Sequence, residues 1–212
     1  GAGASTDTVT IQNNIIYEIV ETSNDSVSAI NTNQWSGISN IYNNTVYKLT
    51  CAGSSKVSVG IMFGNVSSAV VNVKNNIVSL LTVVGASTLA RAYRKVGASS
   101  TANTANNLSD DTTHATYNAE DMAQNLNDTS ALIGKTLAQI DFVSTVVGSE
   151  DLHIDTSSVC LEAGVDLGTT NGVNIDIDGV DRDATGVTWD IGADQKSVAT
   201  STGSPAFFLF MD

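Results

Sequence analysis

The side chains with the most chemical potential gather in the last third of this chain. It reads Asn174-Ile175-Asp176-Ile177-Asp178-Gly179-Val180-Asp181-Arg182, then Trp189-Asp190-Ile191-Gly192-Ala193-Asp194-Gln195. Asp176, Asp178 and Asp181 are candidate oxygen ligands for calcium, a hard cation that takes carboxylates and carbonyls. The spacing D-x-D-G-x-D puts its glycine one ligand step early for an EF-hand loop, and no bidentate glutamate follows. The preferred reading is structural. Asp176, Asp178, Asp181, Arg182, Asp190 and Asp194 form a cap in which Arg182 pairs with one or two carboxylates. That cap pins the final turn across an open end of the fold, where unpaired backbone groups need cover.

Other candidates are weaker. Asp110-Asp111 with His114 sits among Ser, Thr and Asn, the composition of a polar loop. His153 lies between Leu152 and Ile154 and reads as a satisfied strand histidine rather than a base. Two carboxylates at a suitable separation are enough for glycoside hydrolysis, but 22 acidic residues guarantee accidental pairs. There is no glycine-rich phosphate loop, zinc-ligand spacing or nucleophile motif. No catalytic residue and no cofactor is assigned, with calcium the one cation considered. Cys51 and Cys160 permit a single disulfide, but the apolar setting Val159-Cys160-Leu161 favours a buried free thiol.

The elements that hold these residues are announced by a repeat. Asparagine pairs fall at Asn13-Asn14, Asn43-Asn44, Asn75-Asn76 and Asn106-Asn107, at spacings of 30, 32 and 31 residues. Alternating positions precede them, Val9 and Ile11, Ser39 and Ile41, Val71 and Val73, apolar but for Ser39. Ile15-Ile16-Tyr17, Thr45-Val46-Tyr47 and Ile77-Val78-Ser79 follow. A further strand motif recurs as Val27-Ser28-Ala29 and Val57-Ser58-Val59, 30 apart, each followed by isoleucine (Ile30, Ile61).

A unit of two or three short strands cannot bury its apolar face alone, so it must stack on its copies. Ile16, Val46 and Val78 then form an inward ladder, and the asparagines mark bends that need the left-handed conformation. Glu18 and Lys48 occupy equivalent places, as an outward cross-strand pair would. The expectation is an all-β, right-handed parallel β-helix of four to five coils over residues 1–110. The fourth asparagine pair ends the regular coils. A loop and short-helix excursion follows over 111–148, with helices at Asn118–Leu126 and Ser130–Phe142. The final coil and cap span 149–196, and an apolar tail spans 197–212. Ala90–Ser100, with Arg91, Arg94 and Lys95, reads as a lateral loop.

The stretches Asp151-Leu152-His153-Ile154, Leu161-Glu162-Ala163-Gly164, Asp176-Ile177-Asp178-Gly179-Val180-Asp181-Arg182 and Asp190-Ile191-Gly192-Ala193-Asp194-Gln195 carry a resemblance. Together they resemble the C-terminal end of right-handed parallel β-helix repeat proteins of environmental bacteria and marine phages. Glu162 and Gln195 depart from that pattern, where aspartate and glutamate are usual. The larger superfamily includes pectate lyases, polygalacturonases, tailspikes and adhesins, so fold membership implies no single activity. The N-T-D, D-D, H-G and R-I-K succession of the polygalacturonase class is missing from this sequence.

A net charge of −13 repels phosphate backbones and anionic headgroups, so nucleic acid and membrane are poor partners. No apolar run is long enough to span a bilayer. Tyr17 and Tyr47, stacked at equivalent positions, and Arg91 with Arg94 are candidate contacts for glycan or a neighbouring subunit. The chain opens Gly1-Ala2-Gly3-Ala4, directly before the first coil, and ends in Ala206-Phe207-Phe208-Leu209-Phe210-Met211. Both ends are expected to meet other subunits or a parent particle. The expected function is a non-enzymatic structural or interaction module, extracellular or on a virion: a phage fibre, spike or decoration protein, or a surface adhesin. The alternative is a polysaccharide lyase or glycoside hydrolase acting on an acidic or algal glycan.

Overall fold

A computed structural model describes residues 6–23, 25–52, 57–83, 89–97, 100–110, 128, 130–184 and 188–196. These form an all-β fold built on three parallel sheets. The first holds β1 (Thr8–Gln12), β4 (Ile38–Tyr42), β7 (Val70–Lys74) and β10 (Thr101–Ala105), in that order. The second holds β2 (Ile15–Glu21), β5 (Thr45–Cys51), β8 (Ile77–Val83), β11 (Leu108–Ser109) and β12 (Leu132–Ile133). The third holds β3 (Val27–Asn31), β6 (Val57–Phe63) and β9 (Leu89–Lys95). Each strand lies beside its counterpart one repeat later. Ile16 pairs with Val46 and Val46 with Val78, while Ile11 pairs with Ile41 and Ile41 with Val73.

These ladders form the main core, with Ile41, Ile61, Phe63, Val71, Val73 and Val78 fully buried. Each such side chain contributes about 1.5–3 kcal/mol relative to exposure. Gly60 lies against this core. A Cβ there would stand 2.3 Å from Val78 Cγ1 and 2.6 Å from the Ala92 carbonyl oxygen, which leaves no room for a side chain.

The two asparagines of each pair do different work. Asn13, Asn43, Asn75 and Asn106 take φ of 54°, 50°, 56° and 51°, the left-handed bend expected of them. The second asparagines form a row of amides. Asn14 Nδ2 donates to Asn44 Oδ1 (2.8 Å), Asn44 Nδ2 to Asn76 Oδ1 (3.0 Å), and Asn76 Nδ2 to Asn107 Oδ1 (2.9 Å). Asn107 Nδ2 donates in turn to Asp128 Oδ2 (3.0 Å). The row also satisfies interior backbone groups: Asn44 Oδ1 and Asn76 Oδ1 accept from the main-chain N–H of Asn14 and Asn44. Buried polar atoms left without partners cost ~1–3 kcal/mol each, so this row makes an otherwise costly polar interior tolerable.

A second left-handed residue interrupts β2, β5 and β8 at Glu18, Lys48 and Leu80 (φ 55°, 57° and 55°). The first two are joined by the expected ion pair, Lys48 Nζ to Glu18 Oε1 at 2.5 Å.

Several sequence expectations are corrected. Val27 pairs with Ser58, not Val57; the isoleucines set the register, with Ile30 opposite Ile61. Residues 89–95 are strand β9, parallel to β6, and not a lateral loop. Its inner positions carry Ala92 and Tyr93, both buried, and Tyr93 continues the Ile30–Ile61 ladder. The regular pairing does not stop at Asn106-Asn107, because β11 and then β12 extend the second sheet. Ser130–Phe142 is not one helix. It yields β12 and a single turn α1 (Leu137–Ile140), opened by a capping box between Thr136 and Gln139. Asp141, at φ 54°, ends that turn, and the chain leaves as β13 (Phe142–Ser144). β14 (Asp151–Ile154) pairs antiparallel with β13, so this region is a hairpin and not a final parallel coil. The expected helix at 118–126 and the tail lie outside the described residues.

The second sheet is covered on its other face too. Tyr47, Ile77 and Leu108 pack there against Ile140, Phe142, Leu152, Ile154, Cys160 and Ile191. This second core is what carries the C-terminal layer.

Candidate functional site

The C-terminal layer is held to the sheets by the bend asparagines. Asn106 Nδ2 donates to the Ala163 carbonyl (2.8 Å), Asn75 to Val165 (2.8 Å), Asn43 to Val173 (3.1 Å), and Asn13 to Ile175 (2.5 Å). Residues 163–175 therefore run as a strap along the row of bends, from the fourth pair back to the first. The reason is local: each left-handed bend points an amide outward, and an irregular segment has free carbonyls to offer it. The 190–194 loop, expected in a cap across an open end, lies against the second sheet: the Gly192 N–H donates to the Asn75 carbonyl (2.8 Å) and the Ala193 N–H to Thr45 Oγ1 (3.1 Å).

Arg182 anchors the layer from inside and is fully buried. Its Nη2 donates to the carbonyls of Gly192 (2.9 Å) and Ala193 (2.8 Å), and its Nη1 makes longer bonds to those of Asp190 and Asp194 and to Gln195 Oε1. The guanidinium also lies 5.8 Å from the Trp189 ring centre. The expected pairing with a carboxylate is thus replaced by capture of backbone carbonyls in the 190–194 loop. Burial pulls its pKa down to about 10, while the fields of Asp176, Asp190 and Asp194 oppose that shift.

The aspartates divide by what they accept. Asp176 Oδ1 takes the N–H groups of Asp178 (2.9 Å) and Val180 (2.7 Å), and its Oδ2 takes that of Gln195 (2.9 Å). Asp181 Oδ1 accepts from Asn174 Nδ2 and the Asp183 N–H. Asp190 bridges the N–H of Glu162 (2.6 Å) to that of Lys196 (2.7 Å), and burial raises its pKa to about 6. Among the described residues the calcium trio Asp176, Asp178 and Asp181 does not converge: Asp176 ties the 176–180 turn to Gln195, and Asp181 holds Asn174 and the turn at 181–183.

What converges instead is a set the sequence reading left apart. His153 Nδ1 lies 2.5 Å from Asp151 Oδ1, and its Nε2 lies 3.0 Å from Asp178 Oδ2. Asp194, buried, accepts the Ile154 N–H through Oδ2 (2.9 Å) and brings its carboxylate to the same place. Ligand atoms of His153, Asp178 and Asp194 all lie within 4.8 Å of one another. The hydrogen bond to Asp151 raises the His153 pKa, with Asp194 and Asp178 adding to it against partial burial. Burial raises that of Asp194. His153 faces Asp178 across 25 residues of sequence and Asp194 across 41, separations with no motif to flag them.

The remaining candidates scatter. Tyr17 and Tyr47 pair in register, but Tyr47 is buried edge-on against Phe142 at 5.7 Å, so no exposed aromatic stack exists there. Tyr17 alone of the two is exposed. Arg91 and Arg94 sit in β9 of the third sheet, opposite Val59 and Met62. Asp110 Oδ2 accepts from Ser79 Oγ (2.9 Å) and the Leu80 N–H (2.6 Å), stitching the left-handed residue of β8. Asp111 and His114 lie outside the described residues. Cys51 and Cys160 are both buried free thiols, and burial pushes that of Cys160 up to about 12.

Among the described residues, no helix is long and apolar enough to cross a membrane. Comparison of the chain with protein-family models, with curated proteins and with solved structures gives no match.

Proposed function

We propose that the three parallel sheets are the faces of a right-handed parallel β-helix, and that the chain is a non-enzymatic structural or interaction module. The resemblance of its C-terminal stretches to β-helix repeat proteins supports that reading, as does the one-repeat offset of every parallel strand pair between β1 and β10. Its setting is then a virion fibre, spike or decoration protein, or a surface adhesin. The observation that carries the functional half is how the carboxylates are used. Asp110, Asp128, Asp176, Asp181, Asp190 and Asp194 all accept from backbone N–H groups. A glycosidase needs two carboxyl groups facing each other across a cleft with oxygens free for proton transfer or attack.

Contacts with other subunits fit the edge formed by β1, β2 and β3. Tyr17, Val20 and Trp35 are exposed there, and a trough lined by Val9, Ile11, Thr32 and Trp35 opens beside them. The 206–211 tail is the second proposed contact. The test is incubation with a panel of acidic and neutral glycans, followed by reducing-end assay and absorbance at 235 nm. No turnover, with or without retention on one glycan, is expected. Reproducible turnover overturns the reading in favour of a lyase or hydrolase.

A further inference from the structure

We propose that His153, Asp178 and Asp194 form a binding site for one divalent transition-metal ion, with zinc as its reference occupant. Three separate segments supply the ligands: β14, the turn at 176–179 and the loop at 190–195. Their donor atoms lie within 4.8 Å of one another, so a small inward shift of these side chains would bring all three onto a single ion.

The donor set decides the class of ion. Calcium and magnesium take oxygen, in six or more positions. An imidazole nitrogen with two carboxylates suits zinc and its neighbours, and three protein ligands leave a fourth position for water. The outward side of the site has room for that water, since the Asp178 side chain is more than half exposed.

An independent feature is the carboxylate outside the ligand set. Asp151 holds His153 Nδ1, which fixes the ring with Nε2 turned toward Asp178. Carboxylate-to-histidine bonds of this kind orient metal-ligating imidazoles and fix which nitrogen binds. Charge points the same way. Asp151, Asp178 and Asp194 bring three negative charges to one imidazole, and the nearby Lys196 Nζ is engaged with Asp155 at 3.5 Å. Arg182 shares the field of Asp194, but Asp151 and Asp178 leave negative charge on the outer side that a dication would balance. The bound ion would tie the β13–β14 hairpin to the two loops that surround Arg182, so its effect is to fasten the C-terminal layer.

Calorimetric titration of the chelator-treated chain with Zn²⁺, Ca²⁺ and Mg²⁺ tests this, with thermal melts in parallel. One equivalent of Zn²⁺ is expected to bind and to raise the melting temperature, with Ca²⁺ and Mg²⁺ far weaker. His153→Ala and Asp178→Asn should each weaken Zn²⁺ by at least about tenfold and abolish the melting shift, and Asp151→Asn by about tenfold. Asp178→Asn guards against a folding artefact, because that side chain is more than half exposed and, among the described residues, is bonded only to His153. His114→Ala should leave binding unchanged. Absence of stoichiometric Zn²⁺ binding overturns the proposal. So does Zn²⁺ binding that survives Asp178→Asn and His153→Ala unaltered, or Ca²⁺ binding as tight as Zn²⁺.

Discussion

Asp190 sits between two backbone amides in a buried loop, and burial has lifted its pKa from the usual carboxylate range to about 6. The folded state therefore holds the proton more tightly than the unfolded chain does. The stability this brings is complete below the unfolded value of ~3.9 and is lost as pH rises through about 6. Urea midpoints should fall between pH 5 and pH 7, and Asp190→Asn should flatten that fall while lowering stability at both. An unchanged wild-type midpoint across this interval contradicts the assignment. At this scale the sequence was legible in type but not in partner. The cluster around Arg182 was visible as a set of charges, yet Arg182 binds carbonyls and Asp176 binds amides. Backbone groups are uniform along the chain, so nothing in residue identity says which of them a side chain will find.

Among the elements, the row of second asparagines is the most exposed to substitution. Asn76 Nδ2 faces three acceptors, the carbonyls of Ile41 and Lys74 and Asn107 Oδ1, while its Oδ1 accepts from Asn44. Asn76→Asp sets a carboxylate against those acceptors and should cost about 3–5 kcal/mol in chemical denaturation. Asp128→Asn should cost only about 1–2 kcal/mol, because one oxygen remains to accept. Equal losses at the two positions would show that the row contributes no more than packing. The strands were readable here because each asparagine pair carries two separate demands, a left-handed bend at the first residue and an amide in the row at the second, and few residue types meet either. β9 was not. Arg91, Arg94 and Lys95 mask the inward Ala92 and Tyr93, so its charged outer face reads as a loop. The two-residue β12 is too short for any period to register.

The whole molecule depends on two cores that share the second sheet, one inside the stack and one beneath the C-terminal layer. Gly192 is a point of close approach between the layer and that sheet. Its N–H donates to the Asn75 carbonyl (2.8 Å), its φ is 107°, and a Cβ would stand 2.6 Å from Ile77 Cδ1. Gly192→Ala should destabilise the fold by about 2–4 kcal/mol and open residues 158–196 to limited proteolysis before the sheets melt. Simultaneous loss of both regions would show a single cooperative unit instead. The strap over the bends had no sequence signature, since it is built from carbonyls that any residue owns.

The amides of Asn14, Asn44, Asn76 and Asn107 all hand their hydrogens the same way, and the last recipient, Asp128, has no proton to pass on when ionised. The stack is thus a one-way relay with a stop at one end. Whole repeats spliced in upstream of Asp128 would find donor and acceptor waiting, whereas a repeat added beyond it would meet a dead end. Length in this architecture can change only in quanta of one repeat, and from one side.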